Sequence, residues 1–294
     1  LLPEAGGKIW GAMNKVTGVE FLYKNNVMKF RNIAMRGPWT SGGVEFNFGL
    51  IGHIPSTATP VDYLTRKNAD GSVSCLVASY EWSTHTWWEV EVTVPSDKAW
   101  FTTHTIYHNA SFSDAPYYHW MNAAYHAYDD AQFVYPGNGW IGHDGGWNPF
   151  PIDKDGNNLG TMRGCDSLPS VSMHVLGNYN QYNGVYYPEH GYGSLRWAEY
   201  ADKIGQKIFL WGKARSGAIW EDLLTDGHGQ YVELQSGRFF NQPSTGSELT
   251  PYKKPHMDPQ ATDEWTEYWF PVIGIGGVVK ASPFAALNVE RKDG

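Results

Sequence analysis

Residues 87–95 read WWEVEVTVP. Side chains on an extended strand alternate between two faces. Trp88, Val90, Val92 and Val94 therefore share one side, and Trp87, Glu89, Glu91 and Thr93 the other. An apolar face set against a polar one at every second residue predicts a half-buried strand. The same period runs through SVSCLVASY (72–80), AWFTTHTIYH (99–108), QKIFLWG (206–212), YVELQ (231–235) and EYWFPVIGIGG (267–277). Turn residues fall between these runs: NADGS at 68–72, PSDK at 95–98, DKDGN at 153–157 and TDGHG at 225–229, where Gly, Asp and Asn accept the backbone angles a reversal needs. Helical periodicity is scarce, and EYADKIG (199–205) reads as a connection between strands. Many strands joined by Gly- and Pro-rich turns predict an all-β sandwich or barrel.

The chain has 294 residues, 33 of them Gly and 17 Pro. With no linker and no internal repeat, this length fits one large β domain over 1–294. Two long loops, 137–170 and 241–263, interrupt the strand pattern. Loops of that length inside a compact domain usually carry function, and Trp140, Trp147 and Phe150 anchor the first. Charged residues make up 18 % of the chain and the formal charge is −8. That balance excludes a disordered tail and a basic nucleic-acid surface. No apolar run reaches membrane-spanning length, so neither nucleic acid nor membrane is expected as a partner. The chain opens on Leu1 and not Met; a preceding segment is expected, which leaves a secreted or periplasmic location open. Cys75 and Cys165 fit one disulfide or two thiols.

Aromatic residues account for 15 % of the chain, with 14 Trp, 18 Tyr and 13 Phe. Several sit beside polar residues and glycine, not inside apolar runs. Flat rings offer large rigid area at low entropic cost, and Trp adds an N–H donor. These properties suit stacking on sugar rings, and the expected partner is a mono- or oligosaccharide. The alternative is a sandwich that uses aromatics simply as strand formers.

LLPEAGGKIW at the start resembles the opening strand pair of the galactose mutarotase-like superfamily. SGGVEFNFG (41–49), WMNAAYH (120–126), NGVYYPEHGYGSLRWA (183–198), LTDGHGQYVELQSGR (224–238) and YWFPVIGIGG (268–277) resemble one bacterial family within it, the domain of unknown function 5107. The resemblance runs along nearly the whole chain. It implies a galactose mutarotase-like β-supersandwich whose broad concave face holds a sugar. One departure matters. The position of the mutarotase histidine falls near Asn122, with His126 four residues later, so the acid–base pair of the mutarotases does not carry over as it stands.

Three stretches present candidate site residues. In SGGVEFNFGLIGH (41–53), alternation turns Val44, Phe46 and Phe48 one way and Glu45 and Asn47 the other, with His53 following; the flanking glycines suggest close backbone approach or bulges. In HWMNAAYHAYDD (119–130), Trp120, Asn122, Ala124 and His126 share a face. There Trp120 would stack, Asn122 bond hydroxyls and His126 act as acid, base or donor, while Asp129 and Asp130 read as turn residues. In YVELQSGRFFNQ (231–242), Tyr231, Glu233 and Gln235 share a face suited to a polyol. Arg238 would bind a ligand carboxylate or pair with Glu233. Two aromatic, glycine-rich stretches, GWIGHDGGW (139–147) and YYPEHGYG (186–193), place His143, Asp144, Trp147, Glu189 and His190 on a candidate rim.

No serine elbow, phosphate loop, dinucleotide fingerprint or Cys–His signature is present. No zinc-ligand spacing occurs and no metal or cofactor is assigned, with calcium left open because oxygen ligands leave weak sequence traces. Three functions remain. The first is a glycoside hydrolase with Glu45 and Glu233 as its paired carboxylates, assisted by His126, and with Glu221 or Glu189 as substitutes. The second is a mutarotase- or epimerase-type enzyme acting on a free sugar. The third is a non-catalytic carbohydrate-binding module.

Overall fold

The computed structural model describes residues 1–32, 37–49, 52–177, 179–242 and 255–290. Fifteen strands build its two main sheets: β1 (Val44–Phe48), β2 (Asp62–Lys67), β3 (Val73–Glu81), β4 (Thr86–Val94), β5 (Phe101–Asn109), β6 (His119–His126), β7 (Gln132–Val134), β8 (Gly139–Ile141), β9 (Trp147–Pro149), β10 (Val171–Leu176), β11 (Tyr182–Tyr187), β12 (Tyr192–Ala198), β13 (Gly205–Leu210), β14 (Tyr231–Gly237) and β15 (Thr262–Ile273). A seven-stranded sheet has the order β9-β8-β10-β13-β14-β6-β1, and an eight-stranded sheet the order β7-β11-β12-β15-β5-β4-β3-β2.

The two sheets bury their apolar faces against each other. Val44, Phe46 and Phe48 of β1, Met121 and Ala123 of β6, and Val232 and Leu234 of β14 join Trp88 and Val90 of β4 and Trp265 and Trp269 of β15 in one core cluster. Strand alternation therefore decides which residues are left on the outer face of the seven-stranded sheet. The core also holds a paired charge cluster. Glu267 accepts from Arg196 (2.9 Å) and from Ser236 on β14 (3.1 Å), and meets Lys203 at 3.2 Å. Buried charges are tolerated when each finds a partner in this way.

The strands expected at 72–80, 87–95, 99–108, 206–212, 231–235 and 267–277 are all present, with ends shifted by a few residues. Val94, assigned by alternation to the core side of β4, is exposed. The loop at 137–170 contains β8 and β9, which extend the seven-stranded sheet at its edge. Much of the second long loop lies outside the described residues. An eleven-residue helix, α1 (Arg215–Thr225), was not expected. Its buried residues Gly217, Leu224 and Thr225 share one face with the half-buried Trp220, but Gly and Thr are not apolar markers, so that face is faint in the sequence. It ends where TDGHG predicts a turn, with Asp226 and Gly227 both at positive φ. Cys75 and Cys165 are separate thiols. Among the described residues, no helix is long and apolar enough to cross a membrane.

Candidate active site

On the outer face of the seven-stranded sheet, strand register aligns polar side chains from four neighbouring strands. Glu45 of β1 lies opposite Asn122 of β6, Asn122 opposite Gln235 of β14, and Gln235 opposite Lys207 of β13. One step along, Glu233 lies between Ala124 and Phe209. Ala124 is buried in a cluster with Trp39, Trp211 and Tyr231. Gly42 and Gly43, both at positive φ, turn the chain into β1. A Cβ on Gly43 would run into the carbonyl oxygen of Ile9, so only glycine fits this bend.

Over the row lies a cavity of about 290 Å³. Glu233, Gln235 and Lys207 contribute from the sheet; Trp39, Trp120, Phe209, Trp211 and Trp220 form aromatic walls. Gly52 and His53 close one side, and His143, Ser170, Ser172 and Gln242 the other. A concave site with mainly aromatic walls and a few convergent polar groups is the usual form of a small-molecule site.

Glu45 does not line the cavity. Its Oε1 lies 2.6 Å from Nδ1 of His53 and also accepts from Asn47 (3.2 Å) and Asn122 (3.4 Å). The loop carrying His53 is clamped twice: the Ile54 N–H donates to Asn47 Oδ1 (3.3 Å) and Trp120 Nε1 donates to the Gly52 carbonyl (3.2 Å). Trp39 stacks on the imidazole (5.5 Å between centroids) and Trp120 meets it edge-on (5.0 Å). The ring thus lies between a carboxylate and two indoles, and it lines the cavity that Glu233 also lines.

The two glutamates are driven apart in acidity. Burial pushes Glu233 up to about 7, and the negative charge of Glu45 adds to the rise; His53 and Lys207 oppose it. For Glu45 burial acts in the same sense, but His53, Lys8 and Asn47 outweigh it and hold the carboxyl below its usual value. Gln235 donates to Glu233 Oε2 (3.0 Å). Lys8 is fully buried, donates to the carbonyls of Thr40 (2.7 Å) and Gly42 (2.5 Å) and is lowered to about 8 by burial, against the pull of Glu45 and Glu233. Two carboxylates in one site with acidities pushed in opposite directions is a pattern of acid–base chemistry. On the far wall, His143 donates from Nδ1 to the Gln242 carbonyl (2.6 Å), which leaves Nε2 to accept from Ser172 (3.0 Å).

The structure therefore gathers His53, Trp120, Glu233 and Gln235 at one cavity, with Glu45 and Asn122 directly behind. The remaining candidates lie elsewhere. His126 pairs in register with Tyr231, stacks on Tyr128 (4.6 Å) and is lowered to about 4, by burial first and then by His190. Tyr231 is buried against Tyr23 (5.2 Å). Arg238 does not pair with Glu233: it lies over Trp265, with Asp263 at 2.7 Å and Asp202 at 3.3 Å. His190 is exposed beside Asp130 (3.2 Å), Glu189 is exposed near Arg163 (3.8 Å), and Trp147 is exposed on the edge strand β9. Glu221 sits on α1 and accepts from the Gly229 N–H (3.1 Å). Of the rim residues, His143 alone lines the cavity. Sequence reasoning passed over Lys207, Phe209 and Trp211, although they alternate with Ile208 and Leu210 in QKIFLWG and so mark a second face of that strand. Trp39 and Trp220 carry no comparable signal.

Solved structures of other proteins share this architecture. A TPR-domain containing protein from Parabacteroides distasonis ATCC 8503 superposes with a TM-score of 0.79 at 22 % identity, over 98 % of this chain and 46 % of that one; this chain spans less than half of that protein's length. A galactose mutarotase-like protein from Lactobacillus casei ATCC 334 superposes with a TM-score of 0.62 at 11 % identity, over 92 % of this chain and 95 % of its own. Another, from Clostridium acetobutylicum, gives a TM-score of 0.62 at 9 % identity, over 93 % and 91 %. The fold is that of the galactose mutarotase-like class of β-sandwiches. Within that class, the chain belongs to the family described as a domain of unknown function, DUF5107, whose model matches residues 1–272.

Proposed function

We propose that this protein holds a sugar in the cavity over Glu233 and moves protons at its anomeric centre, interconverting the anomers of a free reducing sugar. One observation carries the reading: Glu233 and His53 line the same aromatic-walled cavity, and no other Glu or Asp does so among the described residues. Anomer exchange needs one base and one acid. As a carboxylate, Glu233 takes the proton of the anomeric hydroxyl while His53 gives a proton to the ring oxygen. The bond from the anomeric carbon to the ring oxygen breaks, a carbonyl forms, and reclosure on the other face returns both protons. A carboxyl poised near 7 suits proton transfer in either direction at neutral pH. Glu45 does not touch the sugar in this scheme. Its carboxylate lies 2.6 Å from Nδ1 of His53, and the scheme assigns the transfer to Nε2. The imidazole thus comes from the 52–54 loop, and not from the strand position near Asn122 where the family resemblance would put a mutarotase histidine.

Glycoside hydrolysis is the competing reading. It calls for two carboxyl groups flanking the scissile bond, about 5–5.5 Å apart for retention or about 6.5–9.5 Å for inversion. Of the pair Glu45 and Glu233, only Glu233 borders the cavity, and Glu45 is committed to His53. That arrangement favours anomer exchange. The test is a panel of free aldoses followed by NMR exchange spectroscopy, beside a panel of aryl glycosides followed by aglycone release. The expected result is accelerated anomer exchange, lost in Glu233→Gln and His53→Asn, with no aglycone release. Aglycone release abolished by Glu233→Gln would establish hydrolysis instead. Sugar binding without either reaction would leave a binding module.

A further inference from the structure

The aromatic wall is longer than one sugar ring requires. Trp39 stacks on Trp211 (5.7 Å between centroids, 21° between planes), and Trp211 packs on Trp220 (4.8 Å, 39°). Phe209 meets Trp211 edge-on (4.8 Å, 88°). The ladder starts at the acid–base pair, where Trp39 lies against His53, and runs outward. Trp39 and Trp211 are 2 % and 5 % exposed, while Phe209 and Trp220 are half-buried. Trp220 is delivered by α1, which packs through Leu224 and Trp220 onto the cluster of Trp39, Trp211 and Tyr231.

The indole nitrogens separate the packed rings of the ladder from the open ones. Nε1 of Trp39 and Nε1 of Trp211 are both shut off from solvent, and neither has an acceptor among the described residues. A buried N–H without an acceptor is unfavourable, and buried Trp residues ordinarily find one. Both residues line the cavity. With their nitrogens shut off, these two rings form the packed part of the wall, and the rings open to a sugar are the half-buried Phe209 and Trp220.

We infer that the substrate is a chain of at least two linked pyranose units, bound by its reducing end. The reducing unit lies at Glu233 and His53, and the next unit lies against the half-buried Trp220 and Phe209 at the outer end of the ladder. The inference rests on the anomeric reading above. Anomer exchange needs a free anomeric hydroxyl, so the chain continues from another hydroxyl of the reducing unit, away from Glu233 and out along the ladder.

Calorimetric titration tests this with matched pairs: glucose and cellobiose, galactose and β-1,4-galactobiose, mannose and β-1,4-mannobiose, xylose and xylobiose. In at least one pair the disaccharide binds the wild-type protein about tenfold or more tightly than the monosaccharide, as expected of one added ring stack. In Trp220→Ala that ratio falls to about threefold or less; Phe209→Ala, on the other side of the ladder, lowers it as well and serves if the first variant fails to fold. Equal affinity for both members of every pair that binds would overturn the inference while leaving anomer exchange intact, since exchange of the monosaccharide is read separately. A disaccharide advantage unchanged in both variants would also overturn it. Binding of none of the eight sugars would overturn the inference, while anomer exchange is decided by its own panel.

Discussion

Glu45 and His53 meet at 2.6 Å although neither the strand nor the loop that carries them brings them together alone. Glu45 leaves the core because alternation on β1 sends Val44, Phe46 and Phe48 inward. His53 returns over it because Asn47 and Trp120 hold the Ile54 and Gly52 backbone. The outcome is a carboxylate whose role is to orient an imidazole, with Glu233 left to face the cavity from two strands away.

Removing the charge of Glu45 breaks a buried pair. Glu45→Gln is expected to lower unfolding free energy by about 3 kcal/mol at neutral pH. The Glu45 carboxyl is held below its usual value in the folded state, so its contribution is present above the unfolded value near 4.5 and is lost as pH falls through the lower folded value. Denaturant melts at pH 7 and pH 3 should therefore show a wide gap between variant and wild type at the first and a narrow one at the second.

Glu233 behaves in the opposite sense. Its folded acidity is weakened to about 7, so the folded state holds a proton that the unfolded chain releases between about 4.5 and 7. Stability drawn from this residue declines as pH rises across that window. Relative to wild type, Glu233→Gln should gain on the order of 3 kcal/mol between pH 4.5 and pH 8, while anomer exchange falls by about 10²-fold or more. A variant that tracks wild-type stability at every pH would show that Glu233 ionises like an exposed carboxyl.

Asn47 positions and does not react. Asn47→Ala leaves the Ile54 N–H unpaired and Glu45 short of one donor, costing about 1–2 kcal/mol. Exchange activity should drop by about tenfold or more because His53 loses its fixed approach, and the 15N signal of His53 should broaden. Full activity in this variant would mean that the loop is held by Trp120 alone.

Gly43 has no substitute. With φ at 66° and the Ile9 carbonyl against the site of a Cβ, Gly43→Ala should destabilise the fold by about 2 kcal/mol or more and displace Glu45 with the strand that follows. A melting temperature within a degree of wild type would contradict this account of the bend.

Much of this arrangement is legible in the chain because β structure writes its faces at a period of two. Glu45, Trp120, Asn122, Glu233 and Gln235 could each be placed on the polar side of a strand from neighbouring residues alone, and motifs such as SGGVEFN and YVELQSGR pointed to the sandwich that sets those sides together. Three things were not legible. Alternation says which way Glu45 points but not that the 52–54 loop folds back to claim it. His126 shares the face of Asn122, yet sits two steps along β6, where Tyr23 and Tyr231 fill the surface between it and the cavity. Trp220 rides on a helix whose packed face is built largely from Gly217, Leu224 and Thr225, and Trp39 precedes a glycine bend, so neither sits in a pattern that announces a wall.

The most direct measurement is a crystal structure of Glu233→Gln soaked with the sugar that the exchange panel identifies. The account predicts that sugar in the cavity, its anomeric oxygen within about 2.6–3.2 Å of the residue-233 side chain, its ring oxygen in reach of His53 Nε2, and Glu45 still bound to Nδ1. A sugar seated elsewhere, on the His126–Tyr128–His190 face or along the sheet edge at Trp147, with the Glu233 cavity empty, would contradict it.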